Sequence, residues 1–157
     1  MKNVWYYDFP VGTLGIAEDG AGITDIFRAD GTKPDGLTEA ETPRIKAAAQ
    51  QLKEYFEGSR KEFELPLSLG GTDFQRSVWK ALQAIPYGET RSYRQIAEQA
   101  GSPKACRAVG MANHRNPVMI VVPCHRVIGA NGSMVGYGGG LEMKEFLLRL
   151  EGENRKK

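Results

Sequence analysis

Cysteine is scarce in this chain of 157 residues: only Cys106 and Cys124 occur, alongside two histidines, His114 and His125. Their spacing matches no zinc-binding pattern, so no structural metal is expected. Long apolar runs are also missing. The longest, such as Val118 to Val122, are far too short to span a bilayer. Met1-Lys2-Asn3-Val4 leads straight into strand-like sequence without the apolar region of a secretory signal. A cytoplasmic protein with reduced thiols and no membrane partner is therefore expected. What is present, 41% hydrophobic and 25% charged residues, is enough for one domain or two small ones.

The net charge of +2 conceals an asymmetry. Residues 1 to 69 hold 8 basic against 12 acidic side chains, a net −4, whereas residues 70 to 157 hold 13 against 7, a net +6. The basic half is where a polyanion would dock, although an imbalance of this size also occurs on surfaces that bind nothing.

The first third reads as β structure. Val4-Trp5-Tyr6-Tyr7 has strand character, and Leu14-Gly15-Ile16-Ala17 and Ile23-Thr24-Asp25-Ile26-Phe27 flank a turn at residues 18 to 22, the form of a hairpin. After a polar loop around residues 30 to 41, Thr42-Pro43 opens a helix whose Ile45, Ala49, Leu52, Tyr55 and Phe56 share one stripe, and Gly58 closes it. The breakers in Leu65-Pro66-Leu67-Ser68-Leu69-Gly70-Gly71 place a boundary there, giving domains 1–69 and 70–157.

Beyond that boundary the pattern is helical. Thr72 with Gln75 and Ser92 with Gln95 have the form of capping boxes, and Ser102-Pro103 predicts a further helix through Met111. Two short helices joined near Gly101 fit a helix-turn-helix as well as a plain packing unit. Val118 to Val122 predicts a buried strand ending at Pro123-Cys124-His125-Arg126. A Gly-rich stretch and a last amphipathic helix through Leu147 to Glu151 follow.

A thiol is a weak nucleophile while protonated, so a reactive cysteine wants a base or positive field, and His125 and Arg126 offer both to Cys124. Adjacent side chains of a strand point apart, so His125 can assist only where the backbone departs from strand geometry, as Pro123 and Gly129 favour. Glu151 is available to orient the histidine. A bare Cys-His pair fits a structural cysteine beside a satisfied histidine equally well.

Longer motifs narrow the choice. Gly71-Thr72-Asp73-Phe74-Gln75-Arg76-Ser77-Val78-Trp79, Ile85-Pro86-Tyr87-Gly88-Glu89-Thr90 with Ser92-Tyr93, and Arg107-Ala108-Val109-Gly110 come first. They continue through Asn113, Asn116-Pro117, Pro123-Cys124-His125-Arg126-Val127-Ile128-Gly129, Gly136-Tyr137, Gly139-Gly140 and Lys144-Glu145. In this order the chain resembles the O6-alkylguanine-DNA alkyltransferases over almost all of residues 70 to 152, and more loosely before that through Asp8, Pro10, Gly12 and the hairpin.

The resemblance implies a two-domain α/β fold: a ribonuclease H-like N-terminal sheet with one helix, then a helical domain with a winged helix-turn-helix. It implies stoichiometric, irreversible transfer of an alkyl group from O6-alkylguanine in DNA to Cys124. His125 would be the base, acting through a water, with Glu151 orienting it and Asn116 fixing the adjacent turn. Tyr93 is similar to the tyrosine that contacts the flipped base. Tyr137, Gly138 and Lys144 would line the pocket, and the backbone around Val127 would read the guanine edge. Arg107 resembles the arginine that fills the vacated stack, and Lys104, Arg94, Arg115 and Arg126 would contact DNA. The implied partner is double-stranded DNA entered from the minor groove by a monomer, without cofactor or metal. Gly138 stands where some relatives have serine, which removes a hydroxyl contact. A non-enzymatic alkyltransferase-like lesion binder lacks the acceptor cysteine. A cysteine hydrolase would leave Tyr93, Arg107 and the Gly-rich loop unexplained.

Overall fold

The computed structural model describes residues 1–129 and 140–155. The chain folds into two compact units, Met1–Gly70 and Gly71–Lys157. Tyr137 and Gly138, expected in the pocket wall, lie outside the described residues.

In the first unit β1 (Lys2–Phe9), β2 (Gly12–Glu18) and β3 (Ile23–Arg28) form an antiparallel meander, and β4 (Leu37–Glu39) joins β1 in parallel, giving the order β3-β2-β1-β4. Strand alternation puts Leu14, Ile16 and Ile26 on one face and Val4, Ala17 and Phe27 on the other. The second set clusters with Tyr6 and Leu37. The first set is covered by α1 (Pro43–Phe56), which packs across β1 to β3 and buries Ile45, Ala48, Ala49, Leu52 and Tyr55. Thr42 caps this helix by accepting from the Ile45 amide, and Pro43 occupies its first turn, where no amide partner is needed. β4 falls inside the stretch expected to be loop; three residues of mixed polarity carry no periodicity strong enough to announce a strand.

The second unit is helical: α2 (Asp73–Gln83), α3 (Tyr93–Gln99), α4 (Cys106–His114) and α5 (Leu141–Asn154). Both capping boxes form as the sequence predicts, Thr72 with Gln75 and Ser92 with Gln95. The α2 stripe of Val78, Trp79, Ala81 and Leu82 is buried, and Trp79 Nε1 donates to the Ala112 carbonyl of α4 at 2.8 Å. α3 and α4 pack on each other and on α2.

Two expectations are corrected. α4 begins at Cys106 rather than near Ser102, because residues 102 to 105 are taken up in turns and Ala105, at the N-cap, offers no side-chain acceptor. Val118 to Val122 forms no strand but a coiled turn. Asn116 organises it: Nδ2 donates to the Val122 carbonyl at 2.7 Å and Oδ1 accepts from the Val118 amide at 3.0 Å. The Val122 amide donates back to the Val118 carbonyl at 3.0 Å, and Ile120 takes the left-handed φ of 73°. The prolines at 117 and 123 bracket a segment whose polar backbone is thus satisfied locally, and the apolar run reads only its burial.

The strands that matter for the site are the shortest. β5 (Arg91–Ser92) pairs in parallel with β6 (Val127–Ile128), Arg91 opposite Val127 and Ser92 opposite Ile128. β5 runs directly into α3 at Tyr93, and β6 directly follows Cys124-His125-Arg126. Ser92 is therefore both a paired residue and the α3 cap. Replacing it with alanine should cost about 1 kcal/mol, read from urea denaturation, whereas threonine should retain most of that stability. Equal loss in both variants would mean that the cap contributes nothing.

Candidate active site

Cys124, His125 and Arg126 form a single 3₁₀ turn entered from Pro123. This is the departure from strand geometry that lets neighbouring side chains serve one site. All three are buried: Cys124 is 4% exposed, His125 0% and Arg126 6%.

Glu151 of α5, itself fully buried, reaches this turn. His125 Nε2 lies 2.6 Å from Glu151 Oε2. Arg126 donates from Nε to Oε1 at 2.8 Å and from Nη2 to Oε2 at 3.0 Å. The Gly88 amide donates to Oε1 at 3.2 Å. The carboxylate is thereby surrounded by donors, and a buried charge needs that. Burial by itself would raise the Glu151 carboxyl, but His125 and Arg126 outweigh it and hold the group well below the usual carboxylate range. Arg126 also donates from Nη1 to the Ile85 carbonyl at 2.7 Å, and its guanidinium lies 5.7 Å from the Tyr87 ring centre. Gly88 holds φ at +80°, and a Cβ there would sit 2.7 Å from the Arg155 side chain, so the residue is required on both counts.

The thiol lies among Asn116, Lys144 and Tyr93. Burial pushes it up to about 11, opposed by the Asn116 side chain and the Lys144 charge. Lys144 is fully buried on α5 and donates to the Val127 carbonyl at 2.6 Å. Burial pushes its ammonium down, and Cys124 counteracts this. Tyr93 is half-buried; burial and then the proximity of Cys124 hold its phenol above its ordinary value, so it remains a donor. Burial also lowers His125, with Glu151 pulling it up and Arg126 and Lys144 adding to the depression. The Cys124 carbonyl accepts from Asn113 Nδ2 at 3.4 Å.

The sequence-predicted residues Cys124, His125, Glu151, Asn116, Lys144, Val127 and Tyr93 are thus brought together. Arg107, Lys104, Arg94 and Arg115 are exposed, on or beside α3 and α4, with Arg94 facing Glu98 at 4.0 Å. Arg126 does not join them. It was grouped with the DNA-facing cations, but its guanidinium is buried in the ion pair with Glu151, which also removes it as a direct field on the thiol. Cys106, the first residue of α4, is exposed. Gly88 and Ile85 enter the site through backbone groups that no side-chain pattern could announce. Among the described residues, no group of three or more His, Cys, Asp or Glu side chains could hold a metal ion, and no helix is long and apolar enough to cross a membrane.

The carboxylate sets an acid dependence. A lowered Glu151 contributes stability that is complete above the unfolded carboxyl value of about 4.3 and is lost as pH falls through the folded one. A lowered His125 adds to the loss below about 6.5, where the unfolded chain binds the extra proton. Melting temperature should therefore fall from pH 6.5 downward. Glu151→Gln should lose roughly 3 to 5 kcal/mol at pH 7 in urea denaturation, because the guanidinium stays buried without its anion. A flat wild-type profile between pH 7 and 3 would contradict this ordering.

Comparison with known proteins agrees with the site. Residues 73–153 match the family model described as 6-O-methylguanine DNA methyltransferase, DNA binding domain, and residues 4–69 match its ribonuclease-like domain. A methylated-DNA--protein-cysteine methyltransferase of Methanosarcina acetivorans is 51% identical over 150 residues, covering 93% of this chain and 96% of the relative. The crystal structure of the Mycobacterium tuberculosis O6-methylguanine methyltransferase is similar with a TM-score of 0.91 at 47% identity, covering 98% of this chain and 94% of that one. The structure of the M. tuberculosis OGT in complex with DNA gives a TM-score of 0.89 at 48% identity, covering 98% and 93%. With both of its parts matched, the chain belongs to the 6-O-methylguanine DNA methyltransferase family.

Proposed function

We propose that this chain repairs DNA by direct reversal, moving the alkyl group of O6-alkylguanine irreversibly onto Cys124. The observation that carries the reading is a buried thiol set among Asn116, Lys144 and the half-buried Tyr93, in the same turn as a histidine oriented by Glu151. The chain's likeness to methylated-DNA--protein-cysteine methyltransferases supports the substrate class.

A histidine whose Nε2 donates to Glu151 carries its lone pair on Nδ1, so Nδ1 is the atom that takes the thiol proton, through a bridging water. A buried thiolate is costly, so charge develops on sulfur only as attack proceeds and passes on to the guanine O6. The S–C bond forms as the O6–C bond breaks, and the departing base takes up the proton lost by the thiol. Tyr93, still protonated, donates toward that base and relieves its charge. The product is a thioether and an unmodified guanine. A thioether has no low-energy route back to a thiol, so one molecule repairs one lesion.

A target inside a duplex must be extruded at a cost of a few kcal/mol, which a damaged, poorly paired base lowers. The exposed Arg107 on α4 is suited to fill the gap, and Lys104, Arg94 and Arg115 to contact phosphates. This reading makes α3 and α4 a helix-turn-helix with a wing, entering the minor groove as a monomer, and makes the first unit a ribonuclease H-like domain. The backbone around Val127 would read the guanine edge; its carbonyl accepts from Lys144 and its amide donates to the Cys124 carbonyl.

Incubation with an oligonucleotide containing O6-methylguanine should add one methylene unit to the intact mass, at Cys124. Cys124→Ser should lose transfer and keep DNA binding, since a hydroxyl of similar size is far less nucleophilic. Persistent transfer in that variant would move the acceptor to Cys106.

Arg107 separates two roles. As a phosphate contact alone, Arg107→Ala should weaken binding to damaged and intact duplexes alike. As the stack-filling residue, its loss should slow transfer from duplex by roughly ten- to a hundredfold, leave intact-duplex binding little changed, and spare the reaction with free O6-alkylguanine. Lysine should rescue only in part, because its ammonium cannot stack as a guanidinium does. Equal slowing of the free base would place the defect in the pocket.

A further inference from the structure

In the segment that leads to the acceptor, one residue holds a backbone conformation that its own side chain opposes. Among the described residues Ile120 is the one non-glycine residue with a left-handed φ, 73°. The Val121 amide donates across it to the Met119 carbonyl at 2.9 Å, closing a γ-turn of the rare, strained form. For a β-branched residue this conformation is a true outlier. Glycine takes it readily. Isoleucine stands there nonetheless, with its side chain 1% exposed and Val118 and Val122 on either side in the chain fully buried.

Strain of this kind persists only where the surroundings over-determine it. Asn116 accepts from the Val118 amide at 3.0 Å and donates to the Val122 carbonyl at 2.7 Å, and the Val122 amide returns to the Val118 carbonyl at 3.0 Å. Ile120 is the middle of the loop between those two clamped residues. The Val122 carbonyl accepts a second bond, from the Cys124 amide at 2.8 Å, over Pro123 at φ −81° and ψ 65°, which is the relaxed inverse γ-turn. A tilt of the loop at Ile120 is thus passed through one carbonyl to the backbone of Cys124.

We propose that Ile120 is a positioning residue for the acceptor: its buried side chain anchors a turn that its backbone would otherwise leave, and through the Val122 carbonyl that anchor sets where the Cys124 thiol stands. Asn116 holds the two ends of the loop, and the side chain at the apex holds its tilt, because a branched aliphatic group in a close-packed interior has one place to go. Glycine would satisfy the backbone and release the anchor. In-line attack tolerates little of that freedom, since a displacement of about 1 Å costs roughly a hundredfold in rate.

The inference rests on Cys124 being the acceptor. Failure of the wild type to gain alkyl mass would remove that reading, whereas the stability of Ile120 variants still tests the strain by itself. Ile120→Ala and Ile120→Gly both remove the anchor and differ chiefly in the cost of a left-handed φ. The glycine variant should melt roughly 2 to 6 °C above the alanine variant, the reverse of their ordinary order. Transfer should follow the side chain instead. At a temperature where each variant is folded, both should be slowed about tenfold or more with duplex and with free O6-alkylguanine alike, whereas Ile120→Val, which keeps the branch, should stay within about threefold of wild type. Affinity for intact duplex should be unchanged in all three. A merely structural side chain would let the rate recover with stability from alanine to glycine. Should the small variants not fold, Ile120→Leu serves, with the same volume and its branch one carbon further out: transfer slowed at unchanged duplex affinity is expected. A wild-type rate in the glycine or the leucine variant would overturn the proposal. So would an alanine variant that melts as high as the glycine one, since no strain would then be held at residue 120.

Discussion

The second unit is organised around one buried carboxylate. Glu151 collects His125, the Nε–Nη2 edge of Arg126 and the Gly88 amide, and through them it joins α5, the 3₁₀ turn of Cys124 and the segment between α2 and β5. Desolvating such a charge costs several kcal/mol, and the cost is offset only if every donor is in place. Remove any one and the remainder holds an underserved charge. Such a centre is exacting more than it is stabilising: it admits one arrangement of three segments distant in sequence, and that arrangement also fixes the ring of the histidine next to Cys124 in the chain.

Position and reactivity are set by different groups. Asn116 coils residues 118 to 122 into the turn that delivers Pro123, and its side chain also reaches the thiol. The two-residue pairing of β5 with β6 then fixes Tyr93, the first residue of α3, against the segment that follows Arg126. Two backbone rungs would be negligible on an exposed sheet. Here, half-buried and beside a carbonyl already bonded to Lys144, they tie α3 to the segment that follows the Cys124 turn.

Much of this was legible beforehand. The capping boxes at Thr72 and Ser92, the stripe of α1 and the β2–β3 hairpin follow from residue types at definite spacings, whereas the place of Asn116 beside Cys124, His125 and Glu151 came from the family resemblance. The failures have a common cause. Val118 to Val122 is apolar because it is buried, and burial does not say whether backbone groups are satisfied by a neighbouring strand or by an asparagine side chain. Arg126 carries the same charge as Arg107, and its direction depends on Glu151, a partner 25 residues away. Lys144 entered the site only through the resemblance, since composition alone places a lysine on the surface. β4, β5 and β6 are too short for any period to emerge.

A thiol raised to about 11 in a protein that depends on its nucleophilicity looks contradictory only if the thiolate is taken as the resting species. An enzyme that regenerates its cysteine gains from a standing thiolate, because each unwanted reaction is diluted over many turnovers. An acceptor consumed by one event has no such dilution, and thiolate character also governs reaction with adventitious oxidants and electrophiles. Burial favours the neutral thiol, with the Asn116 side chain and the Lys144 charge opposing it. In the proposed reaction the rate would then come from arranging the lesion, through extrusion, in-line placement of the alkyl carbon, and a protonated Tyr93 beside the leaving base. That requirement explains why so much of a small domain consists of groups that hold Cys124 in place, and so little of groups that activate it.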